Sequence, residues 1–262
     1  MDSLLVDRAD GVVTITLNRP HKKNAIDGRM WRELVEVFGE VDEQPDDRVL
    51  VLTGAGDSFC SGADLTDPAN ADAFGAGVGG ALAQMRLVGR AALGLHELHR
   101  PSIAAVNGVA AGAGCNLALG CDIVVASERA RFTEIFSKRG LSLDFGGSWL
   151  LPRMIGLHKA KELAFFGDIL DAHEADGLGL VNRVVPETEL LPTVQELARR
   201  LAALPPNQLS VTKRLLDQAH SVSMAEAVES EAVAQVMNFQ SADTAEAMAA
   251  FVQKRAPRFT GR

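Results

Sequence analysis

Two short stretches of the chain present bare backbone where chemistry can use it. In Val106-Asn107-Gly108-Val109-Ala110-Ala111-Gly112-Ala113-Gly114, a strand runs into Asn107-Gly108 and small residues lead into a helix. Free N–H groups at a helix start, with no side chain in the way, bind an oxyanion. Phe59-Cys60-Ser61-Gly62-Ala63-Asp64-Leu65 is a second Gly-rich turn of the same character. Two such loops can bring two N–H donors onto one carbonyl oxygen, each worth roughly 3 kcal/mol in a transition state. Taken singly, each also reads as a tight turn made for close packing. The cluster His21-Lys22-Lys23 is a solvated loop by itself, and a phosphate contact if a phosphate-bearing ligand lies beside it.

Other patterns carry less. Gly75-x-Gly77-x-x-Gly80 has the letters of a dinucleotide fingerprint but follows no strand, so it reads as flexible loop. His96 and His99 lack carboxylate partners at ligand spacing and read as an exposed helix face near a C-terminus. Gly146-Gly147-Ser148-Trp149 is no nucleophile elbow, and without any Tyr no phenol can serve as acid or base.

The elements that must position these residues follow from periodicity. Residues 3–7 and 12–18 alternate around Ala9-Asp10-Gly11, which predicts a β-hairpin. Asp27 is placed to cap a helix over 28–43, with Met30, Leu34, Val37, Phe38 and Val41 on one face. Residues 48–53 predict a buried strand and 54–64 a Gly-rich loop. Small polar residues over 66–80 predict a mobile loop, and a helix follows over 81–99, stopped by Pro101. A strand (102–106), a helix (112–119) and a strand (121–126) come next. The apolar run 102–121 has the length of a membrane span, but its two Asn and four Gly predict a buried strand, turn and helix instead. Helices over 158–166 and 172–177 and a strand over 181–185 precede four helices, at 187–203, 207–219, 223–239 and 243–254. Alternating strands and helices with a helical tail predict an α/β domain with an all-α C-terminal part.

Composition narrows the function. With 26 Lys+Arg against 34 Asp+Glu, the net charge of −8 disfavours nucleic acid as a partner. Three Cys without a CxxC indicate neither a disulfide framework nor a zinc knuckle, and fit a reducing cytoplasm. The start MDSLLVDRAD has acids where an export signal needs bases.

Read jointly, the motifs resemble one family. Leu17-Asn18-Arg19-Pro20 with Asn24-Ala25, then Leu52-Thr53-Gly54-Ala55-Gly56, the 59–65 turn, Ala105-Val106-Asn107-Gly108, Gly112-Ala113-Gly114 and Cys121-Asp122-Ile123 stand in the order of the crotonase superfamily, the enoyl-CoA hydratase/isomerases. The resemblance extends to Arg258-Phe259-Thr260-Gly261, so it covers essentially the whole chain. It implies an α/β crotonase-like ββα spiral, expected over 1–200, and a C-terminal all-helical trimerisation region, expected over 201–262. It also implies acyl-CoA thioester substrates, with Ala63 and Ala113 supplying the oxyanion-hole amides.

The sequence departs from the family's hydratases at one point. Their two glutamates correspond here to Asn116 and Phe136, and neither can move a proton. Glu134 lies two residues before the second position, and on a helix it is expected to point elsewhere. Asp144 is the carboxylate left in place, among Phe136, Leu141, Leu143 and Phe145, where burial raises its pKa toward the range useful to a base. Residues 135–152 resemble the phenylacetate-pathway branch, whose members isomerise CoA thioesters with one Asp. The same position serves a dehalogenase branch as nucleophile. The expectation is therefore an enoyl-CoA isomerase. A hydratase or hydrolase using Asp144, a non-catalytic acyl-CoA binder, and Asp144 as a mere loop cap remain as alternatives.

For coenzyme A, carried in as part of the substrate, the expected contacts are Lys22, Lys23 and Ala25 from one loop and Ser61, Ala63, Asp64 and Leu65 from the other. Gly112 and Phe136 are expected on the acyl side, and Lys254 to reach the ligand from a neighbouring subunit. No permanently bound cofactor, metal, membrane or nucleic acid is expected. Apolar stripes on the last helices (Leu209, Leu215, Leu216; Val228, Ala232, Val236) predict a homotrimer or a dimer of trimers.

Overall fold

The structure is a computed structural model that describes residues 3–67 and 77–262. The chain opens with the antiparallel hairpin β1 (Leu4–Ala9) and β2 (Val12–Leu17). Its turn residues Asp10 and Gly11 both have positive φ, 51° and 79°, as the tight turn of a twisted hairpin requires. Helix α1 (Gly28–Glu43) starts where Asp27 accepts the Met30 N–H at 2.8 Å, and it buries the predicted face together with Trp31.

Three ββα turns follow. Each sends one strand into a large sheet and the next into a small one. The first is β3 (Val49–Gly54), β4 (Ser58–Cys60) and α2 (Gly77–His96). The second is β5 (Ser102–Val106), β6 (Val109–Ala111) and α3 (Ala113–Leu119). The third is β7 (Ile123–Ser127), β8 (Arg131–Thr133) and α4 (Gly147–Phe166), with a 3-10 turn Ile135–Arg139 before α4. Then come β9 (Leu170–Asp171), α5 (Ala172–Gly177), β10 (Arg183–Val185), α6 (Leu190–Ala202), α7 (Pro206–Asp217), α8 (Met224–Phe239) and α9 (Ala242–Gln253).

The large sheet has the order β1-β2-β3-β5-β7-β10, parallel from β2 onward, and the small one β4-β6-β8-β9. Strand β3 is buried at every position because both faces of the large sheet are covered. Val49, Val51, Ile103, Ala105 and Val125 pack on Leu190, Val194 and Ala198 of α6. Leu50, Leu52, Ala104 and Val106 face the main core with Trp31, Phe38 and Phe59.

Several expectations need correction. The stretch 54–64 is not all loop: β4 lies within it, and β6 occupies 109–111. Three-residue strands are too short to alternate visibly, and parallel pairing with neighbours makes them. Helix α2 begins at Gly77, so Gly77 and Gly80 are helical; residues 68–76 of the expected loop, Gly75 among them, lie outside the described residues. Helix α4 starts at Gly147, and the break at Gly156 (φ 74°) hid its first half. His99 lies beyond α2, where its ring Nδ1 is 2.5 Å from Asp42. Among the described residues no helix is long and apolar enough to cross a membrane.

Candidate active site

The two Gly-rich stretches meet. Ile26 and Ala63 form a parallel bridge in which Ile26 N–H donates to Gly62 (2.8 Å) and Asp64 N–H donates to Ile26 (2.8 Å). Successive peptide groups of an extended chain alternate in direction, so the Ala63 N–H turns away from this bridge. Ala113 is the first residue of α3, and an N–H there has no intrahelical acceptor. Glycine makes the approach possible. A Cβ on Gly62 (φ 93°) would stand 2.8 Å from the Ala111 carbonyl oxygen and 3.6 Å from the Ala113 nitrogen. One on Gly114 would stand 2.3 Å from the Cys60 carbonyl oxygen. Any side chain at either position would push the loops apart.

The basic loop closes on the same turn. Lys23 and Asn24 both take left-handed backbone, and the buried Asn24 amide donates to the Ala55 and Ser58 carbonyls at 2.9 and 2.7 Å. Ser61 N–H donates to Lys23 (3.0 Å), Ser61 Oγ to the Lys22 carbonyl (3.2 Å), and Lys22 Nζ lies 2.8 Å from Thr66 Oγ1. Arg19 ties the two loops, donating to the Ala25 carbonyl at 2.5 Å and to Asp64 at 2.8 Å. Burial pushes the Asp64 carboxyl up, but hydrogen bonds from Thr66 and Arg19 outweigh it and hold the group below its ordinary value. Asp64 is therefore a loop clamp, with its carboxylate committed to Arg19 and Thr66. Leu65 is half exposed beside it. Lys254 lies elsewhere, as the exposed left-handed cap of α9, and no bond described joins it to residues 19–25.

The candidate acid–base residues act through side chains. Phe136, in the 3-10 turn, is buried, and its ring carbon Cζ comes within 3.5 Å of where a Gly112 Cβ would stand. Asp144 precedes Phe145 and Gly146, both left-handed (φ 47° and 78°), which turn the chain sharply into α4. A bulky residue in that region is strained, by roughly 1–3 kcal/mol. Phe145 is held there by burial against Trp31, with ring centroids 5.7 Å apart. The Asn116 amide, one turn into α3, donates to the Asp144 carbonyl at 3.0 Å. Burial raises the Asp144 carboxyl to about 6. Of its four expected apolar neighbours, Leu141 is exposed.

Glu134 overturns one expectation. It precedes the 3-10 turn with φ −88° and ψ 63°, not on a helix, and its side chain turns inward. It is 2 % exposed, with Oε2 3.3 Å from Asn116 Nδ2. Burial, against hydrogen bonds from Cys115 and Asn116 and reinforced by the Asp144 charge, raises it to about 7. One oxygen each of Asn116, Glu134 and Asp144 is buried without a hydrogen-bond partner among the described residues. The only sequence signal was an acidic residue among buried positions. The clamp role of Arg19 was missed likewise, because its partners lie in another loop.

The family model described as enoyl-CoA hydratase/isomerase matches residues 7–262. The chain belongs to the enoyl-CoA hydratase/isomerase family. It is 40% identical over 262 residues to 1,2-epoxyphenylacetyl-CoA isomerase of Escherichia coli (strain K12), covering 100% of both chains. It is 33% identical over 261 residues to a crotonyl-CoA hydratase of Syntrophomonas wolfei, covering 98% of each. The crystal structure of an enoyl-CoA hydratase from Bacillus anthracis superimposes with a TM-score of 0.94 at 32% identity, covering 100% of both chains. The ββα spiral with its C-terminal helices is thus the crotonase fold of this family.

Proposed function

We propose that this family member isomerises an enoyl-CoA thioester by a 1,3-proton shift, with Asp144 as the single base and the Ala63 and Ala113 amides as oxyanion donors. The observation that carries the reading is the half-buried Asp144 carboxyl, raised to about 6, where Asn116 and Phe136 stand at the positions that the resemblance gives to the hydratase glutamates. A thioester α-proton is too weakly acidic for a lone carboxylate. Two N–H donors on the thioester oxygen, aided by the dipole at the start of α3, stabilise the enolate. Asp144 takes the C2 proton of a 3,4-enoyl thioester, the electron pair spreads over the dienolate, and the same carboxyl returns the proton at C4. The double bond then lies between C2 and C3. One base suffices, whereas hydration needs an activated water as well.

Coenzyme A enters only as the thioester's carrier. Lys22 and Lys23 face its phosphates, the Ser61–Leu65 turn holds its pantetheine side, and Gly112 and Phe136 border the acyl group. Self-association as a trimer or a dimer of trimers would cover Val236, Met237, Phe239 and Phe251, which are exposed in the single chain, and is how Lys254 would reach a neighbouring site. Hydration is the second reading, favoured by the second buried carboxyl of Glu134. Incubation with a 3,4-enoyl-CoA and, separately, with crotonyl-CoA decides between them. Isomerisation without loss of crotonyl-CoA absorbance supports the first reading, and loss of that absorbance without isomerisation overturns it.

A further inference from the structure

The Asn116–Glu134–Asp144 cluster holds more than one base requires. We propose that Glu134 is the positioning residue of Asp144, acting through the Asn116 amide and through its own charge, an inference that rests on reading Asp144 as the base. Asn116 Nδ2 donates in two directions, to Glu134 Oε2 at 3.3 Å and to the Asp144 carbonyl at 3.0 Å. The Asp144 carbonyl accepts only, so the amide has one orientation: turned over, its oxygen would face that carbonyl. The amide packs directly on Gly147, where a Cβ would stand 2.4 Å from Nδ2 and 2.7 Å from Oδ1, so glycine makes room for it. One amide thus ties the carboxyl of Glu134 to the turn that carries Asp144.

Glu134 itself faces the interior. It borders a cavity of about 10 Å³ walled by Phe132, Leu151, Leu163 and Leu180, too small for an acyl chain. Its titratable neighbours are the Cys115 thiol on α3, Asp144 before α4, and Asp168, which lines the same cavity and pairs with Lys138 at 3.2 Å. No basic side chain among the described residues forms an ion pair with it. The like charge of Asp144 is therefore not cancelled locally. Burial raises both carboxyls and the Asp144 charge raises Glu134 further, so the pair gives up its two protons in successive steps. A second negative charge behind the amide strengthens Asp144 as a base, and the proton taken from C2 relieves the repulsion. Proton abstraction is then expected to rise in two steps with pH.

Carboxyl ¹³C NMR titration of the full chain, paired with deuterium exchange at C2 of a saturated acyl-CoA, tests this. In the wild type the Asp144 resonance should titrate in two steps, and Glu134→Gln should lose the upper one. The exchange rate at pH 8 should fall about three- to tenfold in Glu134→Gln, and by less at pH 6. Reciprocally, Asp144→Asn should lower the Glu134 midpoint, which keeps the test open if Glu134→Gln folds poorly. A merely structural glutamate would alter stability and leave both titrations unmoved; identical Asp144 titration in wild type and Glu134→Gln, or a fixed Glu134 midpoint in Asp144→Asn, overturns the proposal. Coupled titration together with undiminished exchange in Asp144→Asn would instead overturn the base reading while the coupling stands.

Discussion

The two halves of the candidate site are built from different materials. The proposed oxyanion side is backbone: the Ala63 and Ala113 amides, in loops brought near by glycines at 62 and 114, with Arg19 and Asn24 as clamps. The proposed acid–base side is side chain: Asn116 and Glu134, buried, and Asp144, half-buried, each with one buried oxygen that has no hydrogen-bond partner among the described residues. The first kind cannot be removed by changing the residue that supplies it, since every non-proline residue has an N–H. It fails only when the loops separate. The second kind is removed by one substitution and titrates with pH. On the proposed mechanism, such a fold can keep enolate stabilisation while its proton chemistry changes by single substitutions. That agrees with relatives of this chain being named both isomerase and hydratase.

The sharpest way to break the comparison is Asp144→Asn. It keeps shape but removes proton affinity, so isomerisation and C2 exchange should fall by roughly 10² to 10⁴. The Michaelis constant should change little, as steady-state kinetics will show. Gly62→Ala strikes the other half. Its Cβ would meet the Ala111 carbonyl oxygen at 2.8 Å, at a φ of 93° that strains any L side chain. Turnover should fall by about 10², as for loss of one oxyanion donor, with the Asp144 titration unmoved. A Gly62→Ala enzyme of normal turnover would show that the two loops need not touch.

Smaller effects sharpen the same contrast. Reversing charge at Lys22 and Lys23 together should raise the Michaelis constant for CoA esters about tenfold, less at high salt. Pantetheine esters lack the nucleotide phosphates and should be nearly unaffected; an equal effect on both would move the phosphate contact elsewhere. The smallest effect is on stability. Glu134 and Asp144 both have raised carboxyl pKa values in the folded protein, about 7 and about 6, so folding favours their neutral forms. Their contribution is complete below the ordinary carboxylate range and is lost as pH rises through about 6 and then 7. Glu134→Gln should therefore melt about 2–4 °C above the wild type at pH 8 and show no such gain at pH 4, by calorimetry.

Much of the fold was legible because it is written locally. The Asp10-Gly11 turn, the Asp27 cap and the face of α1 are each decided by neighbours a few residues away. Strands β4 and β6 were not legible, since three residues carry no period and only pairing with distant strands makes them extended. In the site, the two glycine turns could be marked from residue type, but their meeting could not. Asp144 was singled out by its apolar neighbours together with the resemblance, and its raised carboxyl agrees with that. Glu134 was misjudged by assuming a helix. One backbone setting, φ −88° and ψ 63°, turns its carboxyl inward.

By itself, then, the sequence determined the family, the alternation of strands and helices, and which residues lack the chemistry of a glutamate pair. These rest on residue type and short-range pattern, which do not change when the chain folds. Only the tertiary structure decided that Arg19 clamps Asp64 across two loops, that Gly62 lets one loop approach the start of α3, and that Glu134 reaches Asn116 behind Asp144. Each joins residues far apart in the chain. Burial and contact, which set a carboxyl's proton affinity and an amide's direction, exist only once those segments have packed together.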